Sequence, residues 1–96
     1  MAVAPSLMTR RIQLTHHAVA DYRYWEKHDK KILKRIRALI ENIAQTPFSG
    51  LGKPEPLKEN LAGLWSRRID QKHRLVYEVL HDQIIIQALR FHYNDK

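Results

Sequence analysis

A chain of 96 residues with 44% apolar side chains can build one hydrophobic core and is too short for two. It has no cysteine, which excludes disulfides and thiolate metal sites, and no apolar run approaches the roughly 20 residues of a membrane span. Lys and Arg number 17 against 10 Asp and Glu, a balance that suits a polyanionic partner (RNA, DNA or an acidic protein segment) or else a merely soluble basic surface.

The opening "MAVAPSLMTRR" lacks the apolar stretch of a secretory signal, so a cytoplasmic protein is expected. Residues 1–10 read as an N-terminal tail and 11–96 as a single domain. Residues 12–14 read as a short strand. Thr15 can cap a helix from 16 to about 28, with Ala18, Tyr22 and Trp25 on one face. Asp29 is a suitable N-cap for a second helix, "KKILKRIRALIENIAQ", in which Ile32, Ile36, Leu39, Ile40 and Ile43 recur at helical spacing. Pro47 ends it, because the residue before a proline disfavours α geometry. The stretch "LGKPEPLKENL", residues 51–61, then reads as a stiff charged loop: Pro54 and Pro56 restrict the backbone on both sides of Glu55. Three strand-like runs follow at 64–69, 74–80 and 84–92, separated by "DQK" and "HDQ", which predicts two hairpins. The order β-α-α-β-β-β implies an α+β domain, with two N-terminal helices packed on one face of a mostly antiparallel sheet.

Side chains alternate along a strand, so parity sorts the faces. Leu75, Tyr77 and Val79 should meet the helices, while Arg74, Val76 and Glu78 point away. Ser66 and Arg68 oppose Trp65, Arg67 and Ile69; Arg90 and His92 oppose Leu89 and Phe91. One open face is thus expected to gather Arg68, Arg74, Arg90 and His92, a nearly all-cationic set suited to an anion. Lys53 and Lys58 flank Glu55. His16, His17, His28, His73 and His81 show no metal-ligand spacing, and no metal is predicted. His73 should face away from Arg74 in a structural role. Trp25 and Trp65 read as core or interface aromatics, and the cationic run "KHDKKILKRIR" as a solubilising surface or a contact for RNA phosphates.

"TPFSGLGKPEPLKENLAGLWSRRIDQKHRLVYEV" followed by "RFHY", together with "DYRYWEKHDKKILKRIRALI", closely resembles the YoeB/Txe branch of the RelE-like toxins. Those are the toxin halves of bacterial toxin–antitoxin pairs, small endoribonucleases that cut messenger RNA in the ribosomal decoding site. The resemblance runs from about Ile12 to Tyr93. It implies a RelE-like fold, no cofactor, and metal-independent acid/base attack by the substrate's own 2′-hydroxyl. Glu55 would be the base, His92 the acid and Arg74 the phosphate stabiliser. A carboxylate accepts a proton at neutral pH, an imidazole can give one, and a guanidinium can hold two phosphate oxygens. The same resemblance gives Lys53, Lys58 and Arg68 supporting roles in RNA binding or catalysis, and has Tyr93 stack on or position a base at the cleavage point; Arg90, on the cationic face by parity, is expected to bind substrate with them. It further implies a homodimer and a cognate YefM-like antitoxin whose acidic C-terminal segment covers the site and whose other half binds operator DNA. Three features depart from the family pattern: residues 94–96 beyond Tyr93, the nine residues before Arg10, and Leu51 in "SGLGK". The alternative is a non-catalytic RNA- or DNA-binding module of the same fold. Glu55, Arg74 and His92 together argue against it, because a pure binder has no need of a carboxylate facing phosphates.

Overall fold

Thr15 and Asp29 start both helices. Thr15 Oγ1 accepts the Ala18 N–H at 3.0 Å and opens α1 (His16–His28). Asp29 ends α1 through its own N–H, which donates to Trp25 O, and its carboxylate accepts the Lys31 and Ile32 N–H groups to open α2 (Lys30–Gln45). One residue therefore serves both helix ends and sets a sharp corner. α2 stops at Thr46, as Pro47 requires, and buries Leu33, Ile36, Leu39, Ile43 and Ala44.

The computed structural model describes residues 9–92. Tyr93, the segment 94–96 and most of the expected tail lie outside them. Five strands form one sheet: β1 (Arg11–Leu14), β2 (Glu55–Pro56), β3 (Leu64–Arg68), β4 (Arg74–Val79) and β5 (Gln83–Phe91), in the order β1-β5-β4-β3-β2. β1 runs parallel to β5, which closes the crossover made by the helices; the other pairs are antiparallel. The α+β expectation holds, with one strand added. β2 is two residues long and lies inside the stretch read as loop. Pro56 has no N–H to give, so the segment pairs only at the sheet's edge.

The main core lies between helices and sheet, with Ala18, Ile36, Leu39, Ile43, Leu75, Tyr77, Ile84, Ile86 and Leu89 fully buried. α1 is pinned to β5 by polar bonds inside that core. Trp25 Nε1 donates to Leu89 O at 2.8 Å, and the Leu89 N–H donates to Asp21 Oδ2 at 2.9 Å. Leu75, Tyr77 and Val79 face the helices as parity predicts.

Two expectations need correction. The far face is not wholly open: Leu57, Val76 and Ala88 are buried there, with Leu61, Leu64 and Phe91 packed around them. The segment after Glu55 folds back and covers that end. Parity also fails late in β5. The β4–β5 register shifts between Arg74 and Val76 and again between Val76 and Tyr77, and such bulges turn a strand's alternation over. Leu89 stays in the main core, Ala88 and Phe91 share the far face, and Arg90 swings to α1, its guanidinium 3.6 Å from the Tyr24 ring centroid. Arg90 therefore does not join Arg68 and Arg74, and neither does His92 by parity: Phe91 is the partner of Arg74, so His92 falls to the other side of the strand, its ring against His73, at the edge of that face.

Candidate functional site

The route from α2 to Glu55 is organised by a residue that reads on paper as one more surface cation. Arg67 is fully buried. Its Nε donates to Tyr77 Oη, Nη1 to Asn42 Oδ1 and Leu51 O, and Nη2 to Thr46 O and Ser49 O, at 2.7 to 3.1 Å. A guanidinium has five N–H groups, and five acceptors meet them. All five are neutral. A buried charge is tolerable only when so satisfied, and here the acceptors belong to the segment that must be held. Tyr77 Oη in turn donates to Pro47 O at 2.7 Å, and burial raises the Tyr77 pKa above its ordinary 10.0. The 46–51 turn is thereby wrapped around one side chain of β3. Parity carried the available signal, since Arg67 falls on the apolar row with Trp65 and Ile69.

Gly52 continues the tether. Its φ is +80°, and an added Cβ would stand 2.9 Å from Leu39 and 3.1 Å from Arg68 O, so only glycine fits. Its carbonyl accepts the Arg68 N–H at 2.7 Å. Lys53 follows with a φ of 54°, uncommon for a residue with a side chain. Pro54 then delivers Glu55 into β2.

Pairing places Glu55 opposite Ser66, Ser66 opposite Val76, and Val76 opposite Ala88. The next row on the same face is Arg68, Arg74 and Phe91. Glu55 and Arg68 are thus diagonal neighbours, with about 7–8 Å between them, and Arg68 and Arg74 are directly opposed at about 5 Å between Cβ atoms. Two like charges placed opposite one another destabilise a sheet, and an anion between them reverses that sign. Arg74 is 9% exposed, Arg68 is exposed, and Glu55 is half-buried. Arg74 was expected on an open surface; it is buried because the second cluster rises beside it. Ser66 Oγ, buried on the strand position opposite Glu55, has no hydrogen-bond partner among the described residues. Lys53 and Lys58 are exposed on either side.

His92 follows Phe91, the residue paired with Arg74, at the exposed end of β5. In strand order, β4 with Arg74 lies between β2 with Glu55 and β5. About 14 Å of sheet width separates the outer two, which leaves room for a substrate and excludes direct contact. His92 has a neighbour that sequence reasoning did not assign to it. The His73 ring lies 4.8 Å from the His92 ring and 4.9 Å from Trp25. Asp70 fixes His73: its Oδ1 accepts the Lys72 and His73 N–H groups at 2.8 and 2.6 Å and lies 3.1 Å from His73 Nδ1. Burial pushes the Asp70 pKa up, but these hydrogen bonds outweigh it and hold the carboxyl below its usual 3.8. The spacing Asp-x-x-His in a hairpin turn was the signal for this pairing.

Of the other expected groups, Trp25 is core, Trp65 is half-buried with Phe48 against it at 4.9 Å, and Tyr22 Oη accepts from Arg37 Nε. Among the described residues no cluster of three His, Asp or Glu is placed to hold a metal, and no helix is long and apolar enough to cross a membrane.

Comparison with known proteins agrees with this architecture. The family model described as the YoeB-like toxin of bacterial type II toxin–antitoxin systems matches residues 8–93. Toxin YoeB of Streptomyces coelicolor is 54% identical over 83 residues, covering 86% of this chain and 99% of that protein. The YoeB/ParE toxin from Agrobacterium tumefaciens superposes with a TM-score of 0.83 at 44% identity, over 86% of this chain and 99% of that one. Staphylococcus aureus YoeB has been solved as a dimer (TM-score 0.82, 42% identity, 88% of this chain and 99% of that one). It has also been solved in complex with YefM (TM-score 0.79, 41% identity, 88% and 98%). With the fold, the basic face and these matches in agreement, the chain belongs to the YoeB-like toxins of bacterial type II toxin–antitoxin systems.

Proposed function

We propose that this toxin is a metal-independent endoribonuclease that cuts messenger RNA in the ribosomal decoding site and so stops translation. The opposed pair Arg68 and Arg74, with the Glu55 carboxylate on the diagonal, carries the proposal. Two guanidinium groups so placed can grip the oxygens of one phosphodiester from both sides. Glu55 takes the proton of the 2′-hydroxyl as its oxygen attacks phosphorus. The P–O5′ bond breaks, and His92 gives its proton to the departing 5′-oxygen. Arg74 and Arg68 hold the phosphorane oxygens as negative charge builds. The products are a 2′,3′-cyclic phosphate and a 5′-hydroxyl. Lys53 and Lys58 draw the flanking phosphates to the face, and Tyr93 stacks on or positions a base at the cleavage point. His73, held by Asp70, keeps the His92 ring in place.

The restraining partner is a YefM-like antitoxin whose acidic segment lies across the same cations, a reading supported by the S. aureus complex. Operator DNA is reached only through that antitoxin. Self-association follows the S. aureus dimer, and the protein acts in the cytoplasm, where ribosomes translate. Primer extension on a message translated by purified ribosomes tests the activity. Wild type should produce new stops within the reading frame, and Glu55→Ala combined with His92→Ala should not. Identical patterns from the two proteins refute the nuclease and leave a binding module.

A further inference from the structure

Away from that face, α1 and β5 build a second group of stacked planar side chains. The Arg90 guanidinium lies 3.6 Å from the Tyr24 ring centroid, and the His28 imidazole stacks on the same ring at 4.2 Å with 20° between planes. Two planar groups so close to one centroid must occupy opposite faces, so the order is Arg90–Tyr24–His28. Residues 24 and 28 are one helical turn apart, which stacks them along α1. His28 Nδ1–H donates to Tyr24 O at 2.8 Å; this fixes the ring and leaves Nε2 for a ligand. His28 and Arg90 are exposed. Beside the column lies a cavity of about 560 Å³ lined by Arg23, Tyr24, Glu26, Lys27 and His28.

We propose that this column is a stacking subsite for a nucleobase of single-stranded RNA on the 3′ side of the cut, an inference that rests on the nuclease reading for its substrate. The base lies on the outer face of His28. Arg23 and Lys27 take the adjoining phosphate, and Glu26 accepts from an amino group on the base edge. The position follows from β5. Arg90, at one end of the column, stands two residues before His92, about 7 Å along the chain. The column therefore starts near the acid that protonates the 5′-oxygen, on the side where the strand leaving from that oxygen emerges. An acidic peptide would answer the charges alone and gain nothing from a prebuilt stack of rings.

The test uses the full chain and ribosomes programmed with an oligonucleotide that is 2′-deoxy at the scissile nucleotide and carries 2-aminopurine just 3′ of it. Cleavage is blocked, so the readout is independent of Glu55 and His92. Wild type should quench the 2-aminopurine. His28→Ala, at an exposed site with unchanged melting, should lose the quench and bind about tenfold more weakly. His28→Phe should restore both. Unchanged quenching and affinity in His28→Ala overturn the proposal. So does rescue by His28→Lys but not by His28→Phe, which would show that the site reads charge. An equal loss of affinity for a polyglutamate peptide refutes it as well and points to an acidic protein segment. A wild type that quenches the probe but leaves cleavable message intact would sink the nuclease and spare the subsite.

Discussion

Replacing Arg67 by methionine should loosen the loop that presents Glu55 more than it unfolds the protein. Methionine fills much of the same space and removes all five donors. Tyr77 Oη keeps its bond to Pro47 O, Asn42 Oδ1 keeps the Leu51 N–H, and Ser49 O keeps the Thr46 hydroxyl. Thr46 O keeps only the long 3.4 Å bond from the Ser49 N–H, and Leu51 O loses the Arg67 bond that held it. A buried carbonyl left unsatisfied costs about 1–3 kcal/mol. Two factors reduce that sum. A buried guanidinium no longer has to be desolvated, and no acidic partner is orphaned, because every acceptor is neutral. Thr46, Ser49 and Leu51 are also exposed, so water reaches their carbonyls once the turn opens. The net loss should be about 1–3 kcal/mol of global stability in urea titration, a tolerable share of an ordinary domain's 5–15 kcal/mol. The larger effects should be local: hydrogen exchange at the Leu51 and Arg68 amides accelerates, and single-turnover cleavage falls on the order of a hundredfold as Glu55 loses its placement. Wild-type exchange and cleavage in Arg67→Met would refute the network's role.

Leu75 is fully buried against the helices, so Leu75→Ala should cost about 2–5 kcal/mol by denaturant titration; an unchanged midpoint would place it outside the core. Arg74→Lys keeps the charge but not the two-pronged grip, and should lower cleavage at least tenfold while thermal stability changes little; an active Lys variant would reduce Arg74 to a general cation. The Asp70 carboxyl titrates below 3.8 in the folded chain, so its stabilisation is present above that value and is lost as pH falls through the folded pKa. Asp70→Asn keeps the turn and should flatten the acid limb of the stability curve; an identical limb in both proteins would contradict that assignment.

The helices were legible because their signals are local. Thr15, Asp29 and Pro47 mark the ends within a few residues, and the Ile/Leu spacing of α2 marks its buried stripe. Strand parity worked where pairing is regular, as at Leu75, Tyr77 and Arg68. It failed at Arg90, because a bulge depends on how two strands fit together and leaves no trace in one of them. β2 was hidden because a two-residue edge strand around Pro56 has neither alternation nor β-propensity to show. Arg67 and Arg68 are adjacent and chemically identical. Parity puts Arg67 on the apolar row, but only the fold brings together the five acceptors that make it the buried centre of a loop, while Arg68 stays a surface cation. The catalytic assignment came from the family resemblance; the sheet register supplies a physical reason for Arg68 and Arg74.

The division of labour across the scissile phosphate is tested most directly with a message whose 5′-bridging oxygen at the cut is replaced by sulfur. A thiolate leaves without a proton, so the general acid becomes dispensable while the base does not. On programmed ribosomes, His92→Ala should cleave this message at close to the wild-type rate, and Glu55→Ala should stay slow. Rescue of Glu55→Ala, or continued failure of His92→Ala, would contradict the assignment of base and acid to these two residues.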